Sequence, residues 1–137
     1  MSILNKRLDV GEVMLDLSHF PIVTKTTILK EALEKMDTFR LGVACITGND
    51  GQLLGIITDG DVRRKLLHIQ KPLTAFFIDD VINQAINNPI TISSDMSLID
   101  AVGLMEERRV WDLPVVDNDK LIGLLHLHPA VKALLEG

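Results

Sequence analysis

The sequence predicts an α/β fold made of two β-α-β-β-α repeats, related by a pseudo-twofold axis and packed through their sheets. Short apolar runs typical of strands alternate with helical patterns along the chain. The order of these elements recurs 68 or 69 positions later. Because neither repeat is large enough to cover its own apolar faces, we expect the two to pack together. We place the first repeat, with an N-terminal lead, at residues 1–71 and the second at 72–137.

The first repeat opens with a short element at residues 9–14 and a brief strand at 20–24, which has a proline at its entry. A helix follows, and Thr26 or Thr27 can cap its start. Its apolar residues recur with the spacing of one helical face: Leu29, Ala32, Leu33 and Met36. This spacing predicts an amphipathic helix with one buried face.

A hairpin is predicted next. Two apolar runs, residues 43–47 and 53–58, flank the turn sequence Asn49-Asp50-Gly51. Asp-Gly between apolar runs is a strong hairpin signal. The second run turns at residues 58–60 into a helix that we expect to begin near Asp61.

The second repeat shows the same signals in the same order. Residues 89–92 match the first strand, Ser97 and Asp100 form a capping pair, and a second hairpin follows with Gly123 in the place of Gly55. The helix face repeats in Leu98, Ala101, Val102 and Met105. This agreement at many positions predicts two copies of one supersecondary unit.

Composition limits the kinds of partner. Fourteen Lys and Arg against 19 Asp and Glu give a net charge of −5, which argues against nucleic acid or an anionic membrane as the main partner. The single cysteine, Cys45, lies in an apolar run and cannot form an internal disulfide. The sequence has no apolar signal region at its start and no apolar run long enough to span a membrane. We expect a cytoplasmic protein.

The stretch from Gly55 to Arg64 is the main candidate site. A strand that runs into a helix brings unpaired N–H groups and the positive end of the helix dipole to one place, which suits an anion. Thr58 adds a hydroxyl there, and Asp61 adds two acceptor oxygens suited to the paired hydroxyls of a ribose. These features predict a nucleotide site. The same Thr-x-x-Asp spacing also fits an ordinary helix capping box, and both interpretations stay open.

Two stretches carry a family resemblance: Gly-Ile-Ile-Thr-Asp-Gly-Asp at residues 55–61 and Leu-Pro-Val-Val-Asp at 113–117. With the repeat order, they resemble a tandem pair of CBS (cystathionine β-synthase) domains, also called a Bateman module, from about Val10 to Leu135. The resemblance implies a non-catalytic regulatory module that binds an adenine nucleotide (AMP, ADP or ATP) or a related ligand between its repeats. It also implies a homodimer and a regulated enzyme or transporter as partner.

The resemblance also implies roles for individual residues. The Thr58 hydroxyl would bind phosphate and the Asp61 carboxylate would bind ribose, with Gly60 in the turn between them. The base would lie against the other repeat, at Ile90, Val110 and Trp111. Two further residues, Arg63 and Arg64, are close enough to the helix start to reach phosphates.

The second repeat departs from this pattern, because His126 and Pro129 stand where the first repeat has Thr58 and Asp61. A proline suits the first position of a helix but supplies no carboxylate for ribose. We therefore expect one competent nucleotide site. His126 and His128 would point the same way on a strand, but without a third ligand we predict no metal site.

A closer resemblance, in residues 58–64 and 124–128, is to the CBS pair at the C-terminal end of the arabinose-5-phosphate isomerases of the Kdo (lipopolysaccharide sugar) pathway. It implies an alternative function, a regulatory segment of a sugar-phosphate isomerase that senses a nucleotide sugar such as CMP-Kdo. The chain has no room for the isomerase domain itself, so we expect a free-standing module or an excised segment.

Two further classes of function are an enzyme and a dimerisation scaffold. The sequence contains no Walker loop, no Gly-x-Ser-x-Gly elbow and no cysteine with a plausible base, so we predict no enzymatic activity and no cofactor. A dimerisation scaffold without ligand is a third function, because the apolar helix faces with Phe76, Phe77 and Trp111 would also suit packing between repeats or subunits.

Overall fold

The computed structural model describes residues 7–70 and 72–136. Residues 1–6 of the predicted lead, and the predicted repeat ends at 71 and 137, lie outside these ranges. The chain divides into two compact units, which we call the central unit (Ser18–Pro89) and the terminal unit (Met1–Leu17 with Ile90–Gly137).

The secondary structure is a mixture of helices and two small sheets, which confirms the predicted α/β class. In chain order the elements are α1 (Val10–Val13), β1 (Ile22–Thr24), α2 (Leu29–Phe39), β2 (Val43–Thr47), β3 (Leu53–Thr58), α3 (Asp59–His68), α4 (Leu73–Phe77), a 3₁₀ helix (Val81–Gln84), α5 (Leu98–Arg108), β4 (Asp112–Asp117), β5 (Lys120–His126) and α6 (Leu127–Glu136). In the described ranges, none of the helices combines the length and the apolar character needed to cross a membrane.

The central unit is built on a three-stranded sheet in the order β1-β2-β3, with β1 parallel to β2 and β2 antiparallel to β3. Gly51 in the connecting turn has a φ of 81°, a left-handed conformation that favours glycine. The predicted hairpin is therefore confirmed. The predicted apolar face of α2 is also confirmed, because Leu29, Ala32 and Met36 are buried and Leu33 packs against the same core.

The start of α2 differs from the expectation that Thr26 or Thr27 caps it. The hydroxyl of Thr27 instead accepts a hydrogen bond from the N–H of Thr24 at 3.1 Å. The N–H of Leu29, the first helical residue, donates to the carbonyl of Asp79 at 2.9 Å. A backbone carbonyl from a distant segment thus replaces the capping side chain.

The terminal unit is built on an antiparallel pair, β4 with β5. The face of α5 formed by Leu98, Ala101 and Met105 is buried, as predicted. The Ser97 hydroxyl accepts a hydrogen bond from the N–H of Asp100 at 3.2 Å, which confirms the predicted capping pair.

The strand predicted at residues 89–92 is reduced to one parallel bridge between Ile92 and Val115. In the central unit, β1 and β2 are also joined by a hydrogen bond from the N–H of Cys45 to the carbonyl of Pro21, the residue before β1, at 3.0 Å. Pro114 occupies the position equivalent to Cys45 and has no N–H to donate. The missing donor explains why this strand is shorter than its counterpart.

Each unit contains a short helix from the other repeat. The central unit includes the 3₁₀ helix, which belongs by sequence order to the second repeat, and the terminal unit includes α1, which belongs to the first. In the terminal unit, the N–H of Leu98 at the start of α5 donates to the carbonyl of Leu8, just before α1, at 2.7 Å. In the central unit, the bond from Leu29 to Asp79 ties α2 in the same way to the segment before the 3₁₀ helix. The repeats are defined by sequence order, so their boundary at 71/72 stays a prediction.

Candidate functional site

The end of β3 and the start of α3 form a continuous strand-to-helix junction. Thr58 is both the last residue of β3 and the N-cap of α3, with extended backbone angles. The helix begins at Asp59, two residues before the position near Asp61 that the sequence predicted. The helix begins earlier because the Thr58 hydroxyl accepts the N–H of Asp61 at 3.2 Å, so the backbone is already helical at Asp59.

The carboxylate of Asp61 is nearly buried and is the most heavily bonded group at this junction. Its Oδ2 accepts hydrogen bonds from the N–H of Thr58 at 3.2 Å and from the Thr58 hydroxyl at 2.8 Å. These bonds complete a capping box, so the capping interpretation describes real contacts here. The box uses only one of the two carboxylate oxygens.

Arg64 binds the other oxygen. Its guanidinium donates to Oδ1 of Asp61 at 2.8 Å, while its side chain remains 60% exposed. The guanidinium lies over Gly60, with Nη1 only 3.0 Å from the place where a Cβ of that glycine would be. Arg63, the other predicted phosphate ligand, is exposed on α3.

Gly42 is a residue of this junction that the sequence interpretation missed. Its carbonyl accepts the N–H of Asp59 at 3.0 Å. A Cβ at this glycine would lie 2.8 Å from Oδ2 of Asp59, so the carboxylate rests where a side chain would otherwise be. The available signal was a lone glycine directly before the buried strand β2, where it leaves room for a neighbouring side chain.

The residues predicted to contact the base belong to the terminal unit. Trp111 is 68% exposed, and Val110 and Ile90 are half-buried. The N–H of Leu127 donates to the carbonyl of Trp111 at 2.9 Å, which brings the start of β4 to the start of α6. The structure thus brings Thr58, Asp61 and Arg64 into contact within the central unit but, among these described residues, shows no such contact for Arg63. A shared site formed by both sets stays a prediction.

The equivalent junction of the terminal unit has different chemistry. His126 ends β5 and lies directly opposite Asp112 on β4, with 2.7 Å between Nδ1 of the histidine and Oδ1 of the aspartate. The helix α6 begins at Leu127, so Pro129 is its third residue and the prediction that it is the first is wrong. Proline is tolerated there because the first-turn N–H groups have no partner within the helix.

The strand geometry assumed for the two histidines is also wrong, because His126 ends a strand whereas His128 lies in α6. Across residues 7–70 and 72–136, no group of three or more His, Cys, Asp and Glu side chains is arranged to hold a metal ion.

Comparison with known families decides what kind of module this is. The sequence profile of the CBS domain matches twice, at residues 10–68 and 78–135. The chain belongs to the CBS domain family. The two matches confirm the predicted tandem CBS pair.

The curated relatives of this CBS pair include longer proteins. It is 30% identical over 126 residues to the arabinose 5-phosphate isomerases KdsD of Yersinia pestis and of Escherichia coli K12, a match that covers 92% of this chain and 37% of theirs. It is 32% identical over 122 residues to the uncharacterized protein RP505 of Rickettsia prowazekii, covering 87% of this chain and 35% of that protein. The chain therefore spans little more than a third of the length of these relatives.

Solved CBS pairs have the same fold. The structure of CBSX2 of Arabidopsis thaliana in complex with AMP matches with a TM-score of 0.82 and 26% identity, over 93% of this chain and 96% of that one. The CBS pair of the protein MJ0100, in complex with 5′-methylthioadenosine and S-adenosyl-L-methionine, matches with a TM-score of 0.79 over 96% of this chain and 98% of that one. Its identity of 17% shows a common fold alone.

Proposed function

We propose that this CBS pair is a non-catalytic regulatory module that binds an adenine nucleotide, with the ribose at Asp61 and a phosphate at the start of α3. The observation that carries the proposal is the nearly buried Asp61 carboxylate, which lies between a hydroxyl and a guanidinium. Capping does not by itself require such burial, because Glu12, whose carboxylate completes the capping box at the start of α1, is exposed. The extra burial and the extra cation favour a binding role.

The start of α3 offers the N–H of Gly60 as a donor for a phosphate. The N–H of Asp59 already donates to the carbonyl of Gly42, and the N–H of Asp61 donates to the Thr58 hydroxyl. Neither of these contacts uses the N–H of Gly60, which lies between them. The positive end of the helix dipole points at the same place. Arg63 and Arg64 add two positive charges within the first two turns.

The base half of the proposed site consists of Ile90, Val110 and Trp111. The exposed indole of Trp111 offers a flat surface on which a base can stack. A similar CBS pair, CBSX2, has been solved with AMP, which supports an adenine nucleotide as the ligand class. AMP, ADP and ATP share the ribose and the first phosphate that this arrangement would recognise.

Regulation follows if the ligand binds one arrangement of the CBS pair better than another, since a ligand shifts a conformational equilibrium only by its difference in affinity. The proposal includes a homodimer in the cytoplasm and a regulated enzyme or transporter as partner. A second candidate is the regulatory segment of a sugar-phosphate isomerase that senses a nucleotide sugar such as CMP-Kdo. The 30% identity to the KdsD isomerases supports it.

The test is isothermal titration of AMP, ADP, ATP and CMP-Kdo into the purified chain and two variants. Asp61→Asn keeps the shape of the side chain and removes its charge, while Asp100→Asn makes the same change at the third residue of α5. We expect the wild type and Asp100→Asn to bind at least one of these nucleotides equally, and Asp61→Asn to bind it more than tenfold more weakly. Undiminished binding by a folded Asp61→Asn variant would refute the assignment.

A further inference from the structure

We infer that Arg64 makes the site selective for phosphorylated nucleotides over uncharged nucleosides, by acting as an exchangeable counter-cation on Asp61. This inference rests on the proposed function, because it concerns the same carboxylate. It goes further by naming the ligand class, a nucleoside with a negatively charged 5′ substituent, and the residue that selects it.

The first step is the number of acceptor positions on Asp61. A carboxylate has about four lone-pair positions for hydrogen bonds. The Thr58 N–H and the Thr58 hydroxyl occupy two of them at Oδ2, and the Arg64 guanidinium occupies one at Oδ1. About one position therefore remains free, at Oδ1, whereas the two hydroxyls of a ribose need two, so one of them has to displace the Arg64 guanidinium.

The second step is the consequence of displacing Arg64. The carboxylate is nearly buried, so loss of its cation is unfavourable unless the new partners compensate for it. Two neutral hydroxyls replace a charge-assisted hydrogen bond with weaker ones. An uncharged nucleoside therefore gains little by binding at Asp61.

The third step is where the guanidinium goes. The Arg64 side chain is 60% exposed and already lies over Gly60, at the start of α3. A phosphate bound at this helix start would be within reach of the displaced guanidinium, which can bind it in a bidentate fashion. A nucleotide thus restores the ion pair that its ribose breaks, whereas a nucleoside does not.

Arg63 provides a matched control for general charge effects. It carries the same charge, is exposed on the same helix, and is adjacent in sequence. The structure pairs Arg64 with Asp61, so only the loss of Arg64 frees an acceptor position for ribose. Arg63→Met and Arg64→Met each remove one positive charge near the proposed phosphate position, but only Arg64→Met also removes the partner of Asp61.

The experiment measures dissociation constants of AMP, adenosine and 5′-methylthioadenosine for the full chain, Arg64→Met, Arg63→Met and Arg64→Lys. We expect Arg64→Met to bind AMP about tenfold more weakly and the two uncharged nucleosides about fivefold more tightly, so the preference for AMP nearly disappears. Arg63→Met should weaken AMP binding by about twofold to threefold, because it removes one of the two positive charges near the proposed phosphate position, and should leave the affinity for adenosine unchanged. Arg64→Lys, which keeps the cation, should retain part of the preference.

Several outcomes would overturn the inference. An unchanged or weaker affinity for adenosine in folded Arg64→Met would show that Arg64 does not compete with ribose. Equal effects of Arg63→Met and Arg64→Met would show that only net charge matters. Failure of the proposed function looks different: the wild type would bind none of the three ligands, or Asp61→Asn would bind AMP as well as the wild type.

Discussion

Gly55 and Gly123 lie where another segment of backbone passes within contact distance of a strand. A Cβ at Gly55 would be 2.7 Å from the carbonyl oxygen of Ile86, and a Cβ at Gly123 would be 2.8 Å from the carbonyl oxygen of Leu15. In both cases the approaching segment forms a β-bridge with the residue that follows the glycine. Both repeats therefore have glycine at this position because a side chain would collide with the neighbouring backbone.

Substitution of Gly55 tests this cause. We expect Gly55→Ala to lower the free energy of unfolding by about 1–3 kcal/mol, because a backbone carbonyl must move to admit the methyl group. Gly103→Ala is the matched control, because no atom outside the neighbouring residues and the backbone of α5 lies within 4 Å of where its Cβ would be. It should raise stability by about 0.5–1 kcal/mol. Urea denaturation measures both, and similar effects of the two changes would contradict the steric explanation.

The residues of the site were predictable to different degrees. The Thr-x-x-Asp spacing located Thr58 and Asp61, because both capping and nucleotide binding place these residue types at a helix start. The contact between Arg64 and Asp61 was not predicted, although an i, i+3 acid–base pair on a helix is a recognisable signal. A pattern of residue types does not show which of two adjacent arginines folds back toward the helix start.

At the scale of elements, the helices α2 and α5 end in the same way. Arg40 and Arg109 follow their last residues in the left-handed conformation, with φ of 58° and 56°. The next residues, Leu41 and Val110, each donate an N–H back into the last turn at 3.1 and 3.0 Å. This type of helix end normally has glycine, because other residues are strained there by about 1 kcal/mol.

Glycine substitutions at neighbouring positions of α5 should therefore have opposite effects. Arg109→Gly relieves the left-handed strain and should raise the free energy of unfolding by about 0.5–1 kcal/mol. Arg108→Gly, one residue earlier, places glycine in a helical conformation and should lower it by a similar amount. Thermal unfolding of the two variants measures the difference. No stabilisation by Arg109→Gly would contradict the strain at Arg109, and stabilisation by both variants would show that the effect is not specific to the left-handed position.

The elements differ in how well the sequence predicted them. Both hairpins and both amphipathic helices were predictable, because turn residues and apolar periodicity are local signals. The helix α4 was not, because five helical residues are too few to show a period. The short strand at 89–92 was overestimated because its pairing depends on a donor that Pro114 lacks.

At the scale of the whole molecule, the sequence repeat and the compact units group the chain differently. The repeat was predictable from matching positions, but matching positions do not show which copy of a short helix packs on which sheet. Backbone hydrogen bonds such as the one from Leu98 to Leu8 decide this, and they join residues far apart in sequence. The residue types at Leu98 and Leu8 do not indicate this bond, because only main-chain atoms form it.

The central claim is that a nucleotide binds at the start of α3, and the most direct measurement is a titration of AMP into the ¹⁵N-labelled chain followed by two-dimensional NMR. The amide resonances of Thr58, Gly60 and Asp61 should shift progressively, because ribose and phosphate would contact these residues. The indole N–H of Trp111, the single tryptophan, should shift at the same AMP concentrations if the base stacks there. Unmoved resonances at Thr58, Gly60 and Asp61 with AMP at millimolar concentration would contradict nucleotide binding at this junction and leave the Thr58–Asp61 pair as a helix cap.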